Sequence, residues 1–210
     1  MALETWLAFL VASCLISLSP GAGAISCMAA GLRYGFRRAI WNIVGLILGI
    51  LFVLSIVAAG IGAILAASSI AFAIVKWLGV GYLVWLGIAQ WRAPSAPISA
   101  DGVDAPAGAS SLELLIRGFL VNATNPKGIV FMLAVLPQFI DPSRPQLAQY
   151  SICGATLAMT DAVVMSGYTY FAARVLRMLR EPSHIRWMNR TFGGLFVAAG
   201  AALATFKRAA

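Results

Sequence analysis

Charge is what this sequence most conspicuously lacks. Of its 210 residues only 10% are Asp, Glu, Lys or Arg, while 61% are hydrophobic and the mean hydropathy is +0.90. Soluble globular domains carry about 25% charged residues. Residues 5–32 and 39–75 contain no charged residue at all, and each run exceeds the roughly 20 residues needed to cross a hydrocarbon core. A soluble fold is excluded, and an all-α integral membrane protein is expected. Acid is scarcer than base, with seven Asp and Glu against fifteen Lys and Arg. In a membrane chain such an excess marks cytoplasmic loops and does not call for nucleic acid as a partner.

Other absences narrow the chemistry. Cys14, Cys27 and Cys153 are odd in number, lie in apolar runs and form no CxxC, which argues against a disulfide framework or a zinc site and leaves them as small packing residues. His184 is the single histidine and falls in a basic stretch, as a solvated residue. No metal and no cofactor is expected. The chain has no GxxxxGK[ST] for ATP, and no GxSxG or HExxH for a hydrolase or metalloprotease. Energy for uphill work would have to come from an ion gradient. Gly21-Ala22-Gly23-Ala24 has the small residues of a signal-peptidase site, but Glu4 is the only early charge. A signal peptide begins with positive charge, so the first helix is expected to be retained.

What the sequence does hold is a polar break inside an apolar run. Residues 121–128 read VNATNPKG, which sets Asn122, Asn125, Pro126 and Lys127 midway between Gly118 and Ile140. Proline removes a helix hydrogen bond, and a lysine at the bilayer centre costs about 2.5–3.5 kcal/mol or more. A second break, SPGAG at Ser19–Gly23, interrupts the apolar run nearest the N-terminus.

In chain order the pattern predicts helices over about 5–32 (broken at Pro20-Gly21), 39–65, 70–91, 112–139 (broken at Asn125-Pro126), 146–173, and a sixth ending near Phe206. A turn at Ala66–Ser69 joins the second and third. A Pro-, Gly- and Asp-containing linker covers about 93–111, with Pro97, Pro106, Asp101 and Asp104, and has the composition of a flexible loop. One transmembrane transporter domain is expected over 1–210. Repeat one would span about 1–92 and repeat two about 112–210. Three helices is an odd number, so the second triplet inserts from the opposite side, and the first helix of each inverted repeat is broken at mid-membrane. Interrupted helices at corresponding positions are the sequence mark of a transporter's midplane site.

Arginine places the ends. Arg33, Arg37 and Arg38 in the 1–2 loop, and Arg174, Arg177, Arg180, Arg186 and Arg190 in the 5–6 region, put both loops in the cytoplasm. Both termini are then periplasmic, although Lys207 and Arg208 argue mildly against it.

The broken backbone frees N–H and C=O groups, tolerated only where they face protein or water, and a half-helix N-terminus attracts anions. Pro20, Gly21, Ala22, Gly23, Asn42, Asn122, Asn125, Pro126 and Lys127 are therefore the expected substrate-binding residues. Asp161 is the only acid deep in a span. It is expected to pair with Lys127, as a charge pair that proton transfer or a substrate ammonium switches. The packing alternative is a pair of kinked helices with a static buried ion pair. Gly45 and Gly49 form a GxxxG read chiefly as close helix packing, and Lys76 beside Trp77 is read chiefly as a snorkelling lysine.

On LISLSPGAGAI, GLRYGFRRAIWNIVGL, VKWLGVGYLVWLGIAQWRA, VNATNPKGIVFMLAVLPQFI and FGGLFVAAGAALA, the chain resembles the lysine-exporter (LysE/RhtB) superfamily, in its homoserine and homoserine lactone exporter branch. Essentially the whole chain takes part, apart from the linker. The resemblance implies a bacterial inner-membrane efflux protein for homoserine or homoserine lactone, with threonine next, driven by the proton gradient. By motif, Pro20 and Gly21 match its first signature, and Asn125, Pro126 and Lys127 its second. Asp161 corresponds to an acidic position in the fifth helix. Many members have a second proline where this chain has Ala22. The expected partners are an amino acid, protons and membrane lipid, and the sequence permits a homodimer. An exporter of leucine or lysine is the nearest alternative. A membrane-embedded enzyme or a passive channel is the alternative of a different class.

Overall fold

The computed structural model describes residues 1–67, 69–94, 108–178 and 181–205. Most of the expected linker, with Pro97, Asp101, Asp104 and Pro106, lies outside them, as do Ser68, Arg180, Phe206, Lys207 and Arg208. Among the described residues the regular structure is entirely helical. Helices α1 (Leu3–Leu18) and α2 (Ala22–Tyr34) form one bent pair, and α3 (Phe36–Ala67) and α4 (Ser69–Arg92) follow. Helices α5 (Ser111–Ala123) and α6 (Pro126–Ala134) form a second bent pair that ends in a 3-10 turn, Leu136–Phe139. Helices α7 (Gln146–Tyr170), α8 (Ala172–Met178) and α9 (Pro182–Thr205) complete the order.

The two breaks bend the chain by similar amounts, 57° between α1 and α2 and 51° between α5 and the Pro126–Phe139 segment. By length and apolarity Phe36–Gly60 passes as a membrane span, and each bent pair passes when counted as one span. The expected continuous helix over 146–173 ends instead at Tyr170, and α8 starts two residues later. The basic stretch before the sixth helix is also helical, because Arg186 and Arg190 lie on α9 and His184 is exposed in its first turn. Their i, i+4 spacing suits one exposed helix face as well as a loop.

Local chemistry explains where helices start. Ser110 Oγ accepts from Glu113 N at 3.2 Å while Glu113 Oε2 accepts from Ser110 N at 2.6 Å, a capping box that opens α5. Asn125 caps α6, its side chain accepting from Lys127 N at 3.1 Å, with Pro126 at the first helical position where no N–H is needed. Gly35, at φ +75°, closes α2 in a backbone conformation that suits glycine.

Helix α3 is the spine. Its Gly45 and Gly49 lie directly on the backbone of α5, against Leu115, Phe119 and Ala123, and Gly118 of α5 lies on Asn42 and Leu46 in return. A Cβ at Gly45 or Gly118 would collide with a main-chain carbonyl oxygen, so the GxxxG brings two backbones together as small residues do in membranes. Helix α4 packs along α9 in the same way, through Gly87 and Gly193. Two apolar clusters fill the interior, one around Ile50, Phe131, Met132 and Leu157, the other around Ala24, Met28, Leu46 and Met165. The outer surface is also apolar, with Ile70, Ile74, Trp77, Leu78 and Trp85 exposed along α4, as a lipid-facing wall requires.

Candidate functional site

A small cavity of about 50 Å³ opens where the two apolar clusters meet, between the break in α1–α2 and the break in α5–α6. Its wall includes Ser17, Ser19, Gly21 and Gly23 from the first bent pair and Asn122, Asn125 and Lys127 from the second. Asp161 of α7 and Ile50 of α3 complete it. Residues about a hundred positions apart in sequence thus share one space because the two interruptions lie against the same cavity.

Lys127 reaches across this space. Its Nζ donates to Ser19 O at 2.6 Å and to Ile16 O at 3.0 Å. Both oxygens belong to the last turn of α1, where a helix leaves carbonyls without intrahelical partners and carries partial negative charge. The break in the first half supplies acceptors, and the break in the second half supplies the cation. Pro126 puts Lys127 in the first turn of α6, and the Asn125 cap fixes that turn. The Nζ also lies 6.0 Å from the centre of the Phe196 ring. Gly21 lies beside the lysine stem, where a Cβ would come 3.9 Å from Lys127 Cδ in open contact.

Asp161 is held by the same turn of α1. It is 7% exposed, and its Oδ1 accepts from Ser17 Oγ at 2.5 Å. Lys127 and Asp161 face one cavity without a direct ion pair; among the described residues the short ion pair is instead Arg144–Asp141, at 3.2 Å in the α6–α7 turn. The lysine is drawn instead to two carbonyl oxygens that nothing else in α1 satisfies. Tyr168 closes the same helix end, its OH donating to Leu18 O at 2.6 Å.

The remaining expected site residues fall elsewhere. Pro20 and Ala22 form the break but do not line the cavity. Asn122 lines it while its Nδ2 donates to Leu46 O at 2.8 Å, which ties α5 to α3. Asn42 is fully buried in packing, where its Nδ2 donates to Leu114 O at 3.2 Å and its Oδ1 accepts from Ser26 Oγ. Lys76 donates to Ala204 O at 3.0 Å in the last turn of α9, away from the cavity. Sequence reasoning missed Ser17 and Tyr168, and it missed the α1 carbonyls, since main-chain oxygens leave no mark in composition. Ser17 and Ser19, on either side of Leu18 and just before the Pro20 break, were the available signal.

Chemically, the cavity offers an ammonium, a carboxyl group, hydroxyls and free main-chain groups within an apolar shell. That set complements a small zwitterion. Among the described residues no cluster of His, Cys, Asp and Glu is arranged to hold a metal.

Comparison with known proteins follows the same lines. The family model for LysE type translocators matches residues 14–206. The chain is 44% identical to the homoserine/homoserine lactone efflux protein of Salmonella typhimurium, over 100% of both chains. It is 42% identical to a membrane protein of Vibrio cholerae, over 99% of this chain and 100% of the other. With the leucine efflux protein of an Enterobacter species it shares 28% identity over 94% of this chain and 93% of that one. No solved structure matches.

Proposed function

Because the chain belongs to the LysE type translocator family, we propose that it is a secondary exporter of homoserine or homoserine lactone, with threonine the next candidate. It is a multi-pass membrane transporter of amino acids and not an enzyme. The observation that carries the finer reading is the meeting of the two breaks, with the Lys127 ammonium seated on the terminal carbonyls of α1 beside the Asp161 carboxyl group. The full-length likeness to a homoserine/homoserine lactone efflux protein supports the substrate. Leucine is the competing substrate on the weaker likeness to leucine efflux proteins.

The mechanism uses each group once. The substrate carboxylate or lactone carbonyl meets Lys127 and the free N–H groups at the start of α6. The substrate ammonium takes over the α1 carbonyls to which Lys127 donates. Ser17 and Asp161 carry the proton that couples export to the gradient. Pro20, Gly21, Ala22 and Gly23 keep the α1–α2 backbone open, and Asn122, Asn125 and Pro126 set the position of Lys127. Asn42 supports the site through α3–α5 packing.

The architecture is read as one transmembrane domain of six spans in two inverted repeats, α1–α4 and α5–α9. Packing supports it, because α4 lies along α9 and α3 meets α7, while α3 packs on the α5–α6 pair as α7 does on the α1–α2 pair. Those pairings are among the ones that a two-fold relation between the halves predicts. The basic ends are also gathered. Arg38 donates to Ala109 O at 2.7 Å, and Trp91 Nε1 donates to Arg190 O at 2.9 Å. The positive-inside rule supports a cytoplasmic location for that end in a bacterial inner membrane, with both termini in the periplasm.

Counterflow in proteoliposomes, with labelled homoserine, threonine, leucine and lysine and with or without a pH gradient, tests the reading. Homoserine exchange accelerated by the gradient is expected. A flux insensitive to the gradient would indicate a passive channel, and exchange confined to leucine or lysine would overturn the substrate.

A further inference from the structure

Helix α7 holds the two parts of the first bent pair in different ways. Against α2 it packs closely along the main chain, since a Cβ at Gly31 would lie 2.8 Å from Thr169 O. Helix α1 contains no glycine, and among the described residues the hydrogen bonds that join it to α7 come from side chains. Trp6 Nε1 donates to Thr156 Oγ1 at 3.1 Å, Ser17 Oγ to Asp161 Oδ1 at 2.5 Å, and Tyr168 OH to Leu18 O at 2.6 Å. Asp161 and Tyr168 are seven residues apart, two turns along one face of α7. A helical side chain leans toward the N-terminus of its own helix, so the phenol reaches back toward Asp161. The two contacts end on adjacent residues of α1, Ser17 and Leu18.

The carbonyl oxygens at the end of α1 are divided among different donors. Leu15 O still takes the Ser19 N–H at 3.1 Å. Ile16 O and Ser19 O take Lys127, and Leu18 O takes Tyr168. Leu18 is 44% exposed at the edge of the break, and lipid has no donor for a carbonyl there. The Leu18 carbonyl and the Ser19 N–H belong to one planar peptide unit. Holding Leu18 O therefore fixes that unit and leaves only the two backbone torsions of Ser19 to direct its own carbonyl. We propose that Tyr168 is a positioning residue for the ammonium site, which aims Ser19 O into the cavity and removes Leu18 O as a competing acceptor. It does not touch the substrate and acts through the main chain of α1. For the substrate ammonium this rests on the exporter reading; for the Lys127 ammonium, which is seated on the same oxygens, it rests on the contacts alone.

The test compares full-length wild-type protein with Tyr168→Phe and with Tyr170→Phe, a control at an exposed tyrosine of the same helix. In proteoliposome counterflow, Tyr168→Phe should raise the homoserine concentration for half-saturation about two- to tenfold. It should keep the maximal rate and the acceleration by a pH gradient, and Tyr170→Phe should change none of the three. Half-saturation unchanged in Tyr168→Phe overturns the proposal, and a lower melting temperature beside it would mark the bond as purely structural. A loss confined to maximal rate overturns it as well. A second measurement needs no substrate. In nanodiscs, the change in melting temperature caused by Lys127→Met is measured in wild-type and in Tyr168→Phe protein. It should be smaller in the second, where Ser19 O is no longer aimed at the lysine, and an equal or larger change overturns the proposal. If wild-type protein exchanges no amino acid, the exporter reading fails, yet a smaller change in the Tyr168→Phe background still establishes that Tyr168 positions these carbonyls.

Discussion

The Nζ of Lys127, in the first turn of α6, lies 2.6 Å from the carbonyl oxygen of Ser19, at the end of α1. One contact joins the broken helix of the first half to the broken helix of the second. It needs both interruptions: an unbroken α1 would use the Ser19 carbonyl internally, and an unbroken α5–α6 would carry Lys127 past it.

The first prediction concerns that contact. Lys127→Met keeps the length of the stem and removes the charge, so the carbonyls of Ile16 and Ser19 lose their donor. Hydrogen bonds to charged groups contribute about 1.5–3 kcal/mol, which corresponds to a loss of roughly ten- to a hundredfold in homoserine exchange. Lys127→Arg should retain part of the activity. Gel-filtration profiles of the fluorescently tagged variants should match wild type, which separates loss of transport from loss of fold.

Asp161→Asn separates binding from coupling. The amide can still meet Ser17 Oγ, so the cavity keeps its shape, but the group can no longer exchange a proton. Counterflow should persist, and the acceleration by a pH gradient should vanish. Undiminished gradient-driven flux would remove Asp161 from the mechanism.

Packing of the spine is tested at its glycines. Gly45→Ala and Gly118→Ala each press a methyl group against main chain of the facing helix, and overpacking of this kind costs about 1–3 kcal/mol. Both should lower the melting temperature in detergent. Gly81→Ala, where nothing lies within 4 Å of the added carbon, should not.

The caps should dissociate stability from transport. Ser110→Ala and Asn125→Ala each remove a helix N-cap, worth about 1 kcal/mol. Loss of the Ser110 cap should leave exchange intact, whereas loss of the Asn125 cap should also impair exchange, because that cap fixes the turn bearing Lys127.

Topology is open to labelling. In a cysteine-free background, Ser143→Cys in the exposed α6–α7 turn should react with an impermeant maleimide added to intact cells. Gly35→Ala-type strain is avoided by using Arg37→Cys at the other end, which should react only in inverted vesicles. The reverse pattern would invert the assignment of both loops.

Much of this was legible in the sequence because proline and charge are conspicuous in apolar surroundings. Pro20, Pro126 and Lys127 announced both breaks, and Gly45 and Gly49 announced the close α3 contact. The partner of Lys127 was not legible. Asp161 is the natural partner by charge, yet the ammonium sits on main-chain oxygens, which every residue possesses and no residue type advertises. Asn42 illustrates the converse. A buried asparagine that binds substrate and one bridging α2, α3 and α5 look alike in sequence, and only the positions of Ser26 and Leu114 distinguish them. The arginines at 186 and 190 suggested a loop by composition, although their spacing equally fits the exposed face of α9.

The central claim is that the substrate lies between the two breaks, and substrate protection of a buried reporter tests it most directly. Ile50 lines the small cavity from α3 and is 7% exposed, so in a cysteine-free background an Ile50→Cys thiol is reached through that cavity. Homoserine should slow its alkylation by a small permeant reagent, with half-protection at the concentration that half-saturates exchange, while Ser143→Cys reacts at an unchanged rate. Alkylation of Ile50→Cys at the same rate with and without homoserine, in a variant that still exchanges it, would contradict the account.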